Sequence, residues 1–140
     1  MPRPSVVLDT NVVVSAHLKS EGFERFVLDL ALARKIQMYF SGEILEEYVA
    51  VLSRKKFGIN PDLLANSLQL IEFSGQLVKP TKTVRAALDP DDNKFLEVAL
   101  EVGAEYLVTG NKKHFPKRFG KTQVVNAREL VSGLIPDLKR

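Results

Sequence analysis

Ser5-Val6-Val7-Leu8-Asp9 is the stretch from which the fold can be read. A short apolar run without polar alternation is the pattern of a strand buried on both faces. The acid that ends it stands where parallel sheets bind their ligands, just outside a strand's carboxyl end. Working outward, Phe23, Phe26, Val27 and Leu30 recur at i, i+3, i+4 and i+7, which predicts an amphipathic helix with those side chains inward. Residues 36–40 read as a second strand. Ser41 then caps a helix with Glu43 in its first turn, where the helix dipole favours a carboxylate, and with Ile44, Leu45, Tyr48, Val51 and Leu52 buried.

The alternation continues. Asn60-Pro61-Asp62 is a helix start, with a capping amide before a proline at the first helical position; Leu63, Leu64, Leu68 and Ile71 follow at helical spacing, and Gly75 is the stop. Gln76-Leu77-Val78 reads as a further short strand. Asp89-Pro90-Asp91-Asp92 opens the most acidic helix, with Phe95, Leu96, Ala99 and Val102 inward and Gly103 at its end. Tyr106-Leu107-Val108-Thr109 and Gln123-Val124-Val125 are strands. Asn126 and Glu129 form a capping box for a closing helix that carries Leu130, Val131 and Leu134. Strands alternating with helices predict an α/β fold, a mostly parallel central sheet covered on both faces, with residues 1–140 as one domain.

Composition narrows the chemistry. The 140 residues include no cysteine, which excludes a disulfide scaffold, a thiolate zinc site and a cysteine nucleophile. The histidines are His17 and His114 alone, too few for a histidine-rich metal site. His17 reads as a packing or surface side chain, and His114 falls in a basic segment. No apolar run approaches the roughly 20 residues of a membrane span, and Met1-Pro2-Arg3-Pro4 leads straight into the first strand; the expectation is a soluble, cytoplasmic protein. The net charge is +3. The excess lies in the second half, where residues 111–121 carry Lys112, Lys113, Lys117, Arg118 and Lys121 and no acid, a field that can face a polyanion. Arg54, Lys55 and Lys56 are a second candidate contact, for which a solvated helix end is the readier reading. No glycine-rich phosphate loop or Ser-His-acid arrangement is present.

Four segments direct oxygen ligands to one sheet edge: Asp9 after the first strand, Glu43, Glu46 and Glu47 after the second, Asn111 after the 106–109 strand, and Asp89, Asp91 and Asp92 at a helix start. Each acid alone reads as a cap or turn residue. Converging with no lysine or arginine to pair them, they would repel one another, and a divalent cation would resolve the repulsion. With oxygen ligands only, Mg²⁺ or Mn²⁺ suits better than zinc. Helical phase puts Glu47 at the border of its helix's buried face and turns Glu46 away. It does not separate Asp91 from Asp92.

Val7-Leu8-Asp9-Thr10-Asn11, Ser41-Gly42-Glu43-Ile44-Leu45-Glu46-Glu47-Tyr48, Asp89-Pro90-Asp91-Asp92-Asn93-Lys94-Phe95-Leu96 and Tyr106-Leu107-Val108-Thr109-Gly110-Asn111 together resemble a PIN domain in order and spacing, across nearly the whole chain. PIN domains occur as nucleases in prokaryotic toxin–antitoxin systems and in RNA processing. The resemblance implies a three-layer α/β/α sandwich and a Mg²⁺- or Mn²⁺-dependent ribonuclease. It places the family's acids on Asp9, Glu47 and Asp92, choosing Asp92 over Asp91. Asn111 falls on the fourth acidic position, an amide where the family commonly has a carboxylate. Asp9, Asp92 and Asn111 would then be metal ligands, and Glu47 would position or deprotonate water or complete the metal shell. Thr10, Asn11 and Thr109 would shape the site, and Lys112, Lys113, Lys117 and Arg118 would hold RNA phosphates. The resemblance further implies a homodimer or higher oligomer and an antitoxin partner.

Two other readings compete. An aspartyl-phosphate phosphatase also begins with an acid after its first strand, but resembles Asp-x-Asp; Asn11 stands at the second place and cannot act as a general acid. A PIN-like RNA- or protein-binding module with an eroded site is favoured by Asn111 and opposed by Asp9, Glu47 and Asp92.

Overall fold

A computed structural model describes residues 3–138. Six strands, β1 (Ser5–Leu8), β2 (Gln37–Phe40), β3 (Gln76–Leu77), β4 (Tyr106–Val108), β5 (Arg118–Phe119) and β6 (Thr122–Val125), form one sheet in the order β3-β2-β1-β4-β6-β5. The helices are α1 (Thr10–Leu18), α2 (Phe23–Leu32), α3 (Gly42–Leu52), α4 (Pro61–Ser74), α5 (Asn93–Val102) and α6 (Ala127–Leu138). β1 pairs in parallel with β2 on one side and β4 on the other; among the described strands β5 alone runs antiparallel, against β6. The fold is an α/β sandwich on a mostly parallel sheet. Among the described residues no helix is long and apolar enough to cross a membrane.

The strand order locates the crevice. From β1 the chain winds outward through β2 to β3, then returns to the other side of β1 with β4 and continues outward to β6. The order reverses between β1 and β4, and that reversal opens a cleft at their carboxyl ends. Val6, Val7 and Leu8 on β1 and Leu107 and Val108 on β4 are fully buried, so the two strands that define the cleft are also the centre of the core. Helix α5 packs across β1, β2 and β4. Asp9 and Thr109 are the first residues beyond the two strands.

Local chemistry sets the helix starts as the sequence predicts. Ser41 Oγ accepts from Ile44 N at 3.1 Å, and Asn60 Oδ1 accepts from Asp62 N at 2.9 Å ahead of Pro61. Asn126 and Glu129 exchange backbone-to-side-chain bonds of 2.8 and 2.9 Å, the reciprocal capping box. Asp89 caps a 3-10 turn, Pro90–Asp92, rather than α5 itself.

The structure adds two elements to the sequence reading and corrects the buried faces of two helices. Residues 10–18 form helix α1, which no periodicity announces, because Thr10, Val12, Val13, Val14 and Ala16 bury it nearly all round. In α2 the inward face is Val27, Leu28, Leu30 and Ala31, while Phe23 and Phe26 are exposed; Leu63 on α4 is exposed as well. Within the basic segment, β5 and β6 form a hairpin in which Gly120, at φ 58°, occupies the first turn position.

Gly75 follows α4 where the chain passes under β2. A Cβ there would stand 2.4 Å from Phe40 Cε2 and 3.2 Å from the Met38 carbonyl. Gly75→Ala is therefore expected to destabilise the fold by about 1–3 kcal/mol through overpacking, read as a lower urea midpoint at unchanged slope; an unaltered midpoint would show that β2 yields freely at this point.

Candidate active site

The site is built around Asp9. The sheet carries its backbone, whose N–H donates to Val108 O at 2.9 Å, and its side chain is almost wholly buried. The Thr109 hydroxyl donates to Asp9 Oδ2 at 2.7 Å and accepts from Asn111 N at 3.0 Å, so one hydroxyl ties the acid to the loop after β4. Burial raises the Asp9 carboxyl to about 6, against an ordinary value of 3.8; the charges of Asp92 and Glu47 push the same way, and the Thr109 hydrogen bond resists.

Helix α3 braces this end of β1. Fully buried Tyr48 donates its hydroxyl to the Leu8 carbonyl at 2.5 Å. One residue earlier, Glu47 turns to the cleft, as its helical phase predicts, while Glu46 is exposed. Glu47 is not unpaired. Lys94 Nζ donates to Glu47 Oε1 at 2.6 Å, and the Thr10 hydroxyl donates to Glu47 Oε2. The expectation that no basic side chain pairs the acids is thus wrong for Glu47. Burial works against the Lys94 charge, but the Glu47 bond and the charges of Glu47, Glu43 and Asp91 outweigh it and raise the ammonium's pKa.

Asp92, at the end of the 3-10 turn, is half-buried, whereas Asp91 is exposed. Burial raises the Asp92 carboxyl, as do Asp89 and Glu47, while His114 and Lys94 lower it. His114 Nδ1 lies 3.6 Å from Asp92 Oδ2, and Leu88 N donates to the His114 carbonyl at 2.9 Å. The Asp92 loop and the 111–114 loop are therefore stitched together beside the cleft. Asn11 Oδ1 accepts from Gly110 N at 3.2 Å, bracing the same loop against α1. Asn111 itself is exposed.

Asp9, Glu47 and Asp92 thus share one electrostatic neighbourhood, supported by Thr10, Asn11 and Thr109. Among the described residues, no three Asp, Glu or His side chains are drawn close enough to hold an ion unaided. Lys94 and the proximity of His114 to Asp92 escape sequence reasoning, since neither partner is near in the chain. Lys94 does lie in the 89–96 segment, two residues after Asp92, and that spacing is the available signal. His17 is a packing residue, bonded to the Val13 carbonyl at 2.7 Å and to Ser67 Oγ at 2.6 Å, and so ties α1 to α4.

The basic segment folds into a 3-10 turn, Lys112–His114, followed by β5. Lys112 pairs with Glu129 at 2.8 Å, while Lys113, Lys117 and Arg118 are exposed. A cavity of about 510 Å³ opens there, with Phe115 and Val124 at its apolar side and Lys112, Lys113 and Lys117 around it.

Residues 5–113 match the PIN-domain family model, and the chain belongs to that family, whose members are typically nucleases and generally use divalent metals. Uncharacterized protein MJ1680 of Methanocaldococcus jannaschii is 34% identical over 111 residues, which cover 76% of this chain and 70% of that protein. A chain in the crystal structure of VapBC2 from Rickettsia felis bound to a DNA fragment from their promoter shares the fold, with a TM-score of 0.56 at 19% identity over 86% of this chain and 98% of that one.

The raised Asp9 carboxyl has a stability consequence. Its folded value exceeds the ordinary one, so the folded state binds this proton more tightly; the stabilisation is complete below about pH 4 and is lost as pH rises through about 6. The shift corresponds to about 3 kcal/mol at roughly 1.4 kcal/mol per pH unit. Urea unfolding without divalent ions should show wild type losing stability from pH 4 to pH 8 by more than Asp9→Asn does, the difference approaching that amount. Parallel pH profiles would contradict the assignment.

Proposed function

We propose that the chain is a divalent-metal-dependent ribonuclease that cleaves RNA phosphodiester bonds in the cytoplasm, as the toxin of a toxin–antitoxin pair. The observation that carries this reading is the buried Asp9 carboxyl, held by Thr109 and raised further by the charges of Asp92 and Glu47. A hard cation between Asp9 and Asp92 would offset the burial and mutual repulsion that raise both carboxyls, and oxygen ligands suit Mg²⁺ or Mn²⁺. Asn111, beside Thr109, would complete the set directly or through water. Mg²⁺ commonly takes one or two carboxylates and fills its other positions with water and substrate phosphate, so a three-acid cage is not required.

When bound, the cation would polarise the phosphate and stabilise the charge that develops on its oxygens. The chain's own groups do the rest. Thr109 keeps Asp9 oriented, and Asn11 and Thr109 fix the Gly110 and Asn111 backbone amides of the loop that carries Asn111. Glu47, gripped from both sides by Lys94 and Thr10, offers a fixed carboxylate to orient the attacking water. Lys113, Lys117 and Arg118 attract the RNA backbone toward the cleft, with Lys112 available once it parts from Glu129. Leu63, Leu70 and Phe73 leave apolar surface on α4, where an antitoxin or a second copy would bury area.

The phosphatase alternative loses support because Asn11, besides lacking an acidic proton, is committed to the Gly110 amide. The RNA-binding module retains one specific observation, the exposed amide of Asn111 at the fourth acidic position.

A mixed RNA pool incubated with purified protein and Mg²⁺ or Mn²⁺ should be cut, with cleavage abolished by EDTA and reduced by roughly 100-fold or more in Asp92→Asn, which keeps shape but removes a ligand charge. Metal-independent cutting, or full activity in Asp92→Asn, would overturn the reading, and binding without cutting would favour the module. Replacing Lys113 and Lys117 by alanine should weaken RNA binding across sequences and reduce the salt slope by roughly 0.7 per lost phosphate contact for single strands. An unchanged slope would remove them from the RNA path.

A further inference from the structure

The three acids of the cleft differ in what already touches them. Glu47 has both oxygens engaged, Oε1 by Lys94 Nζ at 2.6 Å and Oε2 by the Thr10 hydroxyl. The ion pair is largely withdrawn from water, with side-chain exposures of 13% for Lys94 and 27% for Glu47, so solvent screens it little. Among the described residues, Asp9 has Thr109 on Oδ2 and no salt-bridge partner; Asp92 has His114, at 3.6 Å, and feels the Lys94 charge without an ion pair to it. Lys94 is held in place from several directions, by Glu47, by the nearby charges of Glu43 and Asp91, and by the Phe95 ring 5.9 Å from its ammonium.

From this asymmetry we infer that Lys94 is a built-in cation at Glu47, so that the site takes one divalent ion, between Asp9 and Asp92, and no second. A divalent ion at Glu47 would stand beside an ammonium already bound to the same carboxylate, and the two positive charges would repel each other in a poorly screened cleft. Glu47 then serves as an oriented carboxylate instead of a ligand, and Lys94 is a positioning residue that acts through it. The inference rests on the cation reading proposed above for Asp9 and Asp92, and it goes further by dividing the three acids between two cations of different kinds.

Counting bound Mn²⁺ by calorimetry and by the electron paramagnetic resonance of the free ion, without RNA, tests this on the intact chain. Wild type should bind one Mn²⁺ per chain and Asp9→Asn none. Glu47→Gln should still bind one, with affinity within about threefold of wild type. Lys94→Met, which keeps the length and loses the charge, should free Glu47 and admit a second Mn²⁺, whereas Lys94→Arg should stay at one. The inference is overturned if wild type binds two ions or none, if Glu47→Gln loses its ion, or if Lys94→Met, shown to be folded by its circular dichroism, still takes only one. Glu47→Gln and wild type decide the matter even where Lys94→Met fails to fold. RNA cleavage is scored separately: cleavage by a two-ion protein sinks this inference and spares the nuclease reading, and one ion without cleavage does the reverse.

Discussion

A carboxylate buried at the end of the central strand is the constraint on which the rest of this site depends. Asp9 follows β1, whose apolar side chains lie at the middle of the core, and the sheet holds its backbone through the Val108 carbonyl. Removing a carboxyl from water disfavours its charge. The Thr109 hydroxyl offsets part of that cost, and the acids placed around Asp9 increase it. The fold therefore maintains an acid that gains from any cation brought to it. The position follows from topology, because the strand order reverses between β1 and β4 and leaves their carboxyl ends open to a ligand.

The neighbouring residues meet that constraint in different ways. Tyr48 uses full burial to hold the Leu8 carbonyl, which keeps the strand end from shifting under α3. Thr109 and Asn11 work on the backbone of the loop that carries Asn111. Lys94 neutralises Glu47 locally, whereas among the described residues Asp9 has no ion pair and Asp92 has His114 at 3.6 Å. One cleft thus separates a carboxylate whose charge is already balanced from a pair whose charge is not.

How much of this can be read from the sequence depends on whether the deciding interaction is local. Ser41, Asn60 and Asn126 cap their helices from within a few residues, so their starts are legible, as are the apolar runs of β1, β2 and β4. Glu47 is legible because helical phase puts it at the border of a buried face. Helix α1 is hidden because Val12, Val13 and Val14 are β-branched and buried on nearly every side, which erases the amphipathic period; tertiary packing overrides propensity there. The phase of α2 is misjudged because Phe23 and Phe26 remain at the surface in spite of their size. Lys94 is overlooked because its partner is 47 residues away and the aspartates around it suggest an acidic surface. The convergence of Asp9, Glu47 and Asp92 is therefore readable from spacing and family resemblance, while the pairing of Lys94 with Glu47 requires the fold.

The most direct measurement is the titration of the Asp9 side-chain carboxyl by carbon-detected NMR, first without divalent ions and then in saturating Mg²⁺. A midpoint near the 6 set by burial, falling to the ordinary carboxylate range or below when Mg²⁺ is added, would establish Asp9 as the strained acid that a cation relieves. An ordinary midpoint without metal, or a raised one that Mg²⁺ leaves unmoved, would contradict the account at its centre.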